Sequence, residues 1–228
     1  MRLLPKSLVH HETGASKNAQ HDDGWDPQFI DLAFIAWLQC DAPSCKQLVG
    51  SAGIGGMEPE WEPEDGSFAY QERFYPRYLW PMPDVIDIPL KCPKAVVEQL
   101  KCAFALIWQD PGSSGNKVRV SLERLMDHFG VQTKAKNTNG TFSVLSLHQR
   151  LEIFGKKNDL IRDQLMAVKW LGNTGSHEGD ITQSDLLDAL AIIEHLLAEL
   201  IDERTTKVAL LAKKLTRKHR PTKRKKRA

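Results

Sequence analysis

The chain has 228 residues, 41% of them apolar and 26% charged, which is enough to bury one sizeable core and a small satellite domain. Its formal charge of +2 hides an asymmetry: ten of the 31 Lys and Arg residues fall within 213–228, where there is no acid, leaving 21 basic residues against 29 acidic ones elsewhere. The longest apolar run, residues 186–201, is broken by Asp188, Glu194, His195 and Glu199, so a membrane span is excluded. The first fourteen residues hold no apolar stretch of signal-peptide length, and four cysteines without such a signal read as reduced thiols or ligands in a cytoplasmic protein.

In chain order, residues 1–24 are polar and aperiodic and are expected to be mobile. Residues 25–90 mix short apolar runs with Gly-rich and Pro-rich stretches and predict a small irregular or β-containing subdomain ending in a Pro-punctuated strap. Within it, GSAGIGG at Gly50 to Gly56 lacks the Gly-Lys-Ser/Thr ending of a phosphate loop and reads as a flexible turn. Residues 91–205 change to a helical period. Val96, Val97, Leu100, Phe104, Ile107 and Trp108 form one face behind Pro93, and Val118, Leu122, Leu125, Met126 and Phe129 form the next, closed by Gly130.

A Lys-, Asn- and Thr-rich linker then leads to a short helix around Leu145 to Phe154 and another over Asp159 to Leu171. Thr182, with Asp185 three residues on, predicts the cap of the last long helix, whose stripe runs from Leu186 to Ile201. Val208, Leu211 and Leu215 continue that spacing into residues 206–228, the basic tail, and predict an extension of the same helix as far as Pro221.

The segment KWLGNTGSH, residues 169–177, places His177 beyond the predicted helix end in a Gly- and Asn-containing turn, where functional residues concentrate. Asn173 reads as a helix C-cap or as a polar group of a site. Lys169 reads as a solvated helical lysine or as a point charge one turn earlier. Arg119 and Glu123 are four apart on one helical face and suit an ion pair, or a guanidinium that reaches the same site.

FYPRYLWPMPDVIDIP, the Trp108 to Pro111 connection, VRVSLERLMDHFGV and AVKWLGNTGSHEGDITQSDLLDALAIIEHLL together resemble bacterial proteins of domain of unknown function 4145, grouped with the HEPN superfamily of helical domains. The resemblance covers roughly residues 74–200. It implies a mainly α fold, a HEPN-like helical bundle with a small irregular or β-containing N-terminal subdomain, and a homodimer. Many superfamily members are metal-independent endoribonucleases with an arginine, a polar residue and a histidine at a helix end. On this sequence the histidine falls on His177 and the polar residue on Asn173, while the arginine position is Gly172. A glycine cannot hold a phosphate oxygen, and one lost donor costs roughly a hundredfold or more in rate. Lys169 or Arg119 would have to replace it.

The expected function is therefore a nucleic-acid-associated dimerisation and binding module in bacterial phage defence or restriction, with a toxin-like ribonuclease centred on His177 as the alternative. Clustered cations displace counterions from nucleic acid, so Lys213, Lys214, Arg217, Lys218, Arg220, Lys223, Arg224, Lys225, Lys226 and Arg227 are the candidate contacts, with RNA favoured over DNA. A tail docked on its own acidic body is the other reading. A partner protein of a defence system is also expected, and a membrane is not. No cofactor is required. Related proteins carry a short zinc knuckle where Cys40 and Cys45 lie, but the second half of one is not legible, so zinc stays an alternative there.

Overall fold

A computed structural model describes residues 1–62, 66–136, 138–177 and 181–220, without the side chains of 175–177. The chain divides into two compact units, Met1–Val85 with Lys101–Ser114, and Ile86–Leu100 with Gly115–Ala228. Among the described residues no helix is long and apolar enough to cross a membrane.

The first unit is built on an antiparallel sheet. Strands β1 (Arg2–Leu3) and β2 (Val9–Glu12) share one edge of β3 (Asp31–Gln39), and β4 (Leu48–Glu62) and β5 (Ser67–Trp80) follow on the other side. In β3 the side chains alternate, with Leu32, Phe34 and Ala36 buried and Ala33, Ile35 and Trp37 exposed. Past Gly56, β4 and β5 pair only with each other, and Trp61 meets Phe68 edge to face across that ribbon at 5.1 Å.

This sheet overturns the mainly α expectation: the fold is mixed α and β. Residues 1–24, expected to be mobile, contribute β1, β2 and helix α1 (Gly14–Ala19). The α1 cap is Thr13, which accepts from the Ser16 amide at 3.2 Å, and the buried Ser16 hydroxyl donates to Glu12 at 2.7 Å.

GSAGIGG is not a turn but the centre of β4, a strand of 15 residues. Its glycines leave room for rings from the neighbouring strands. A β-carbon on Gly53 would stand 2.8 Å from the Phe34 ring, and one on Gly55 would stand 2.8 Å from the ring of Phe74. Phe34 and Phe74 then meet edge to face at 5.3 Å. Glycine weakens a lone strand, but a ring laid over it restores the packing it lacks.

The helical elements are α2 (Lys94–Leu106), α3 (Pro111–His128), α4 (Leu147–Gly155), α5 (Asp159–His177), α6 (Gln183–Leu200) and α7 (Arg204–His219), with a small hairpin, β6 (Lys134–Lys136) and β7 (Phe142–Val144), in the predicted linker. In the second unit α5 packs against α4 and α6. Leu122, Leu151, Leu165, Leu186, Leu190 and Ile193 are fully buried there.

The helix ends follow local chemistry. Gly130, at φ +66°, closes α3, and the Val131 amide reaches back to the Met126 carbonyl at 3.0 Å. Ser146 with Gln149 and Thr182 with Asp185 form reciprocal capping boxes at the starts of α4 and α6. The buried Arg150 guanidinium donates to Asp127 at 2.7 Å and to the Val131 carbonyl at 3.0 Å, tying α4 to the end of α3.

Two helix expectations need correction. Helix α5 does not stop at Leu171 but continues through GNTGSH to His177. The last helix is not continuous either, because Glu203, at φ +51°, breaks the chain between α6 and α7.

Candidate functional site at the crossing of α3 and α5

Glycine sets the geometry of this crossing. A β-carbon on Gly172 of α5 would lie 2.5 Å from the Arg119 β-carbon and 2.8 Å from the Gly115 carbonyl oxygen, both on α3. A β-carbon on Gly115 would in turn lie 2.9 Å from the Ile181 side chain. The two helices approach so closely that no side chain fits at position 172. The position where the resemblance expects an arginine is a packing glycine.

Arg119 is held from its own helix. It donates to Asn116 at 3.2 Å and to Glu123 at 2.7 Å, so the expected ion pair is formed. Lys169 is not a solvated helical lysine. It is only 7% exposed, and its amine lies 3.2 Å from the centre of the Trp170 ring. Burial first, and then the nearby Arg119 guanidinium, push this amine below its ordinary value. Two cations thus stand close together, Arg119 balanced by Glu123 and Lys169 resting on an aromatic face.

Asn173 is half-buried inside α5 rather than its C-cap, four residues after Lys169. His177 is the last residue of α5, and its side chain is among those outside the described residues. The crossing therefore brings Arg119 beside Lys169. Asn116 and Trp170 complete the arrangement and were not anticipated. Their spacing, three residues before Arg119 and one after Lys169, is too common in helices to mark them in advance.

Residues 101–223 match the family described as Domain of unknown function (DUF4145), which is more than half of the chain. The chain belongs to the DUF4145 family. Its DUF4145 segment carries Arg119, Lys169, Asn173, His177 and α7. A second family, described as Domain of unknown function (DUF8608), matches residues 1–79, where β1 to β4 and most of β5 lie. No curated protein and no solved structure matches.

The basic candidates near the C-terminus divide at Pro221. Lys213, Lys214, Arg217 and Lys218 lie on α7 and Arg220 is its C-cap, all of them exposed, whereas Lys223, Arg224, Lys225, Lys226 and Arg227 lie outside the described residues. No residue of α7 is buried, and Val208, Leu211 and Leu215 form an exposed apolar stripe.

Cys40 and Cys45, outside the DUF4145 segment, lie in the loop from β3 to β4. The Cys40 amide donates to the Gln47 carbonyl at 2.9 Å and Cys45 is exposed. Among the described residues no group of three or more His, Cys, Asp or Glu is placed to hold a metal. A structural zinc takes four ligands, so this pair alone does not fit one.

Proposed function

We propose that this protein is a nucleic-acid-binding module that grips the phosphate backbone through α7 and the basic residues beyond it, in a phage-defence or restriction setting. The observation that carries the reading is the exposure of α7: Lys213, Lys214, Arg217 and Lys218 all face solvent, and among the described residues none pairs with a carboxylate of the acidic body. Cations held away from their own acids are available to phosphates, and they release condensed counterions on binding. The apolar stripe of Val208, Leu211 and Leu215 on the same helix suits pairing with a second copy, which would set two basic arms side by side.

The test is the salt dependence of binding to mixed-sequence RNA and DNA. Changing Lys213, Lys214, Arg217, Lys218 and Arg220 together to Gln should weaken binding to every sequence and flatten the slope of log K against log salt by up to ~3.5 for single strands. An unchanged slope would refute the reading.

A metal-independent ribonuclease is the second reading, favoured by the adjacency of Arg119 and Lys169, two cations suited to a phosphate. RNA incubated with the protein in excess EDTA, beside His177→Ala, separates the two. Cleavage ending in cyclic phosphate and lost in the variant would establish the enzyme. Intact RNA that nonetheless binds would leave the module.

A further inference from the structure

The sheet of the first unit has an open face whose composition is unusual for a surface. Strand register places two rows across it, Trp37, Gly50 and Trp80 in one, and Ile35, Ala52 and Tyr78 in the other. Trp80 is 78% exposed, Tyr78 55% and Trp37 50%. Solvated faces of antiparallel sheets ordinarily carry polar residues, and a contiguous apolar patch marks a recognition surface.

The rows are large at their ends and small in the middle. Trp37 and Trp80 stand on strands two apart, about 10 Å between backbones. Gly50 and Ala52 do not fill that interval, and with Ser7 these residues line a shallow hollow of about 340 Å3. The Trp37 indole leans inward, within 3.6 Å of where a Gly50 β-carbon would be. The floor is thus flat and the walls are aromatic.

The Ser7 and Tyr78 hydroxyls at the hollow are already engaged, whereas the buried Ser51 hydroxyl has no partner among the described residues. Ser7 Oγ donates to the Leu4 carbonyl at 2.8 Å and accepts from the Trp37 amide at 3.1 Å, and the Tyr78 hydroxyl accepts from Gln109 at 2.9 Å. What the hollow offers is mainly ring surface, with few free donors and acceptors. Such a surface selects flat groups without reading their edges.

Charge is divided along the same sheet. Arg2 pairs in register with Gln39, two residues beyond Trp37 on the open face, and its guanidinium donates to the Gln39 side chain at 3.2 Å. Lys6 and Lys46 are exposed in the adjoining turns, and Asp41, an acid at this end, is paired with the Met1 amino group at 2.9 Å. The acids Glu58 and Glu60 lie toward the other end of β4, bonded to Tyr75 and Arg73. The aromatic end is therefore the cationic end.

We propose that this face binds single-stranded nucleic acid, with unpaired bases stacked on Trp37 and Trp80 and phosphates beside Arg2, Lys6 and Lys46. Stacking on aromatic rings beside a basic track holds single strands with little regard to sequence, and a duplex, whose base faces are covered, cannot use it. The inference extends the nucleic-acid reading of α7 but rests on different residues in the other unit, so the two can fail separately.

The experiment measures binding of the full chain to a short oligouridine and to an RNA duplex of the same length, for the unaltered protein, Trp37→Ala, Trp80→Ala, Trp80→Phe and the five-residue α7 variant. Trp80→Ala keeps the test decisive because that side chain stands in solvent and its loss should leave the fold intact by circular dichroism. The expected result is a loss of roughly tenfold or more for single strands with either alanine, rescue by Trp80→Phe, no change for the duplex and an unchanged salt slope.

Both alanine variants binding oligouridine as tightly as the unaltered protein, while the α7 variant binds poorly, would overturn this inference and leave the α7 reading standing. Self-association that depends on Trp80, with no effect on oligouridine, would overturn it in favour of a contact between copies. Failure of the unaltered protein to bind either nucleic acid would overturn both proposals.

Discussion

The two units use glycine for different ends. In the sheet, Gly53 and Gly55 lie beneath the rings of Phe34 and Phe74, so the missing side chain is replaced by an aromatic one from the next strand. At the helix crossing, Gly172 faces the Gly115 carbonyl and the Arg119 β-carbon, so the missing side chain lets two backbones approach. A ring can shift when a methyl group is added beneath it, but a β-carbon on either sheet glycine would also press on a backbone carbonyl, that of Tyr75 or Arg73, just as one on Gly172 would press on that of Gly115. How far a glycine tolerates replacement is decided by what lies opposite it.

The sharpest way to break this comparison is Gly172→Arg, which restores the arginine that the family resemblance implies. It should destabilise the protein by about 3 kcal/mol or more, as overpacking of a close crossing does, without creating ribonuclease activity. Urea denaturation measures the first part and RNA cleavage in EDTA the second. The Cys92 thiol, buried and for that reason pushed up to about 11, serves as a reporter in the same unit and should become open to alkylation in this variant.

Gly53→Ala comes next. Its β-carbon would press on the Tyr75 backbone carbonyl as well as on Phe34, and a loss of about 2 kcal/mol is expected by thermal or urea unfolding. Though it lies under a ring, this glycine should behave like the helical ones, because its nearest neighbour is backbone.

A smaller effect is expected from Lys169→Met, seen in the pH dependence of stability. The folded chain holds the Lys169 proton less tightly than the ordinary value of 10.5. Between those two values the unfolded chain binds more protons, so stability rises with pH across that window, while below it the burial penalty is constant. Unfolding midpoints measured from neutral pH up to about 10.5 should climb more steeply for the unaltered protein than for the variant.

The smallest effect should come from Gly50→Ala. Its β-carbon would meet the Trp80 carbonyl oxygen at 3.5 Å and Trp37 at 3.6 Å, ordinary contact distances, so stability should change by no more than about 0.5 kcal/mol. A large loss would mean that the Trp37 indole is pinned to the strand more firmly than the geometry indicates.

Much of the helical half was legible because its signals are local. The Thr182 and Asp185 cap and the end of α3 at Gly130 each depend on a few neighbouring residues, and both are present. The stripe of Val118, Leu122, Leu125 and Met126 is likewise buried. A β-containing subdomain was expected, but strand β4 was not legible, because it carries Gly50, Gly53, Gly55, Gly56 and Pro59, residues that locally favour turns. The end of α5 was misread for the same reason: Gly172 and Asn173 resemble a stop signal, yet α5 runs on for six residues past Leu171.

The sequence by itself determined the periodic helices, their caps, the charge division between the body and the basic end, and the family. Only the tertiary structure decided that the glycine runs sit inside a strand and a helix, that Lys169 is buried beside Arg119, and that Trp37 and Trp80 share an open face. Periodicity and capping act over a few residues and are written in neighbouring letters. The fate of a glycine depends on the ring or carbonyl that approaches it from distant chain: Gly53 is 19 residues from Phe34, and Gly172 is 53 from Arg119. No local pattern records such a meeting.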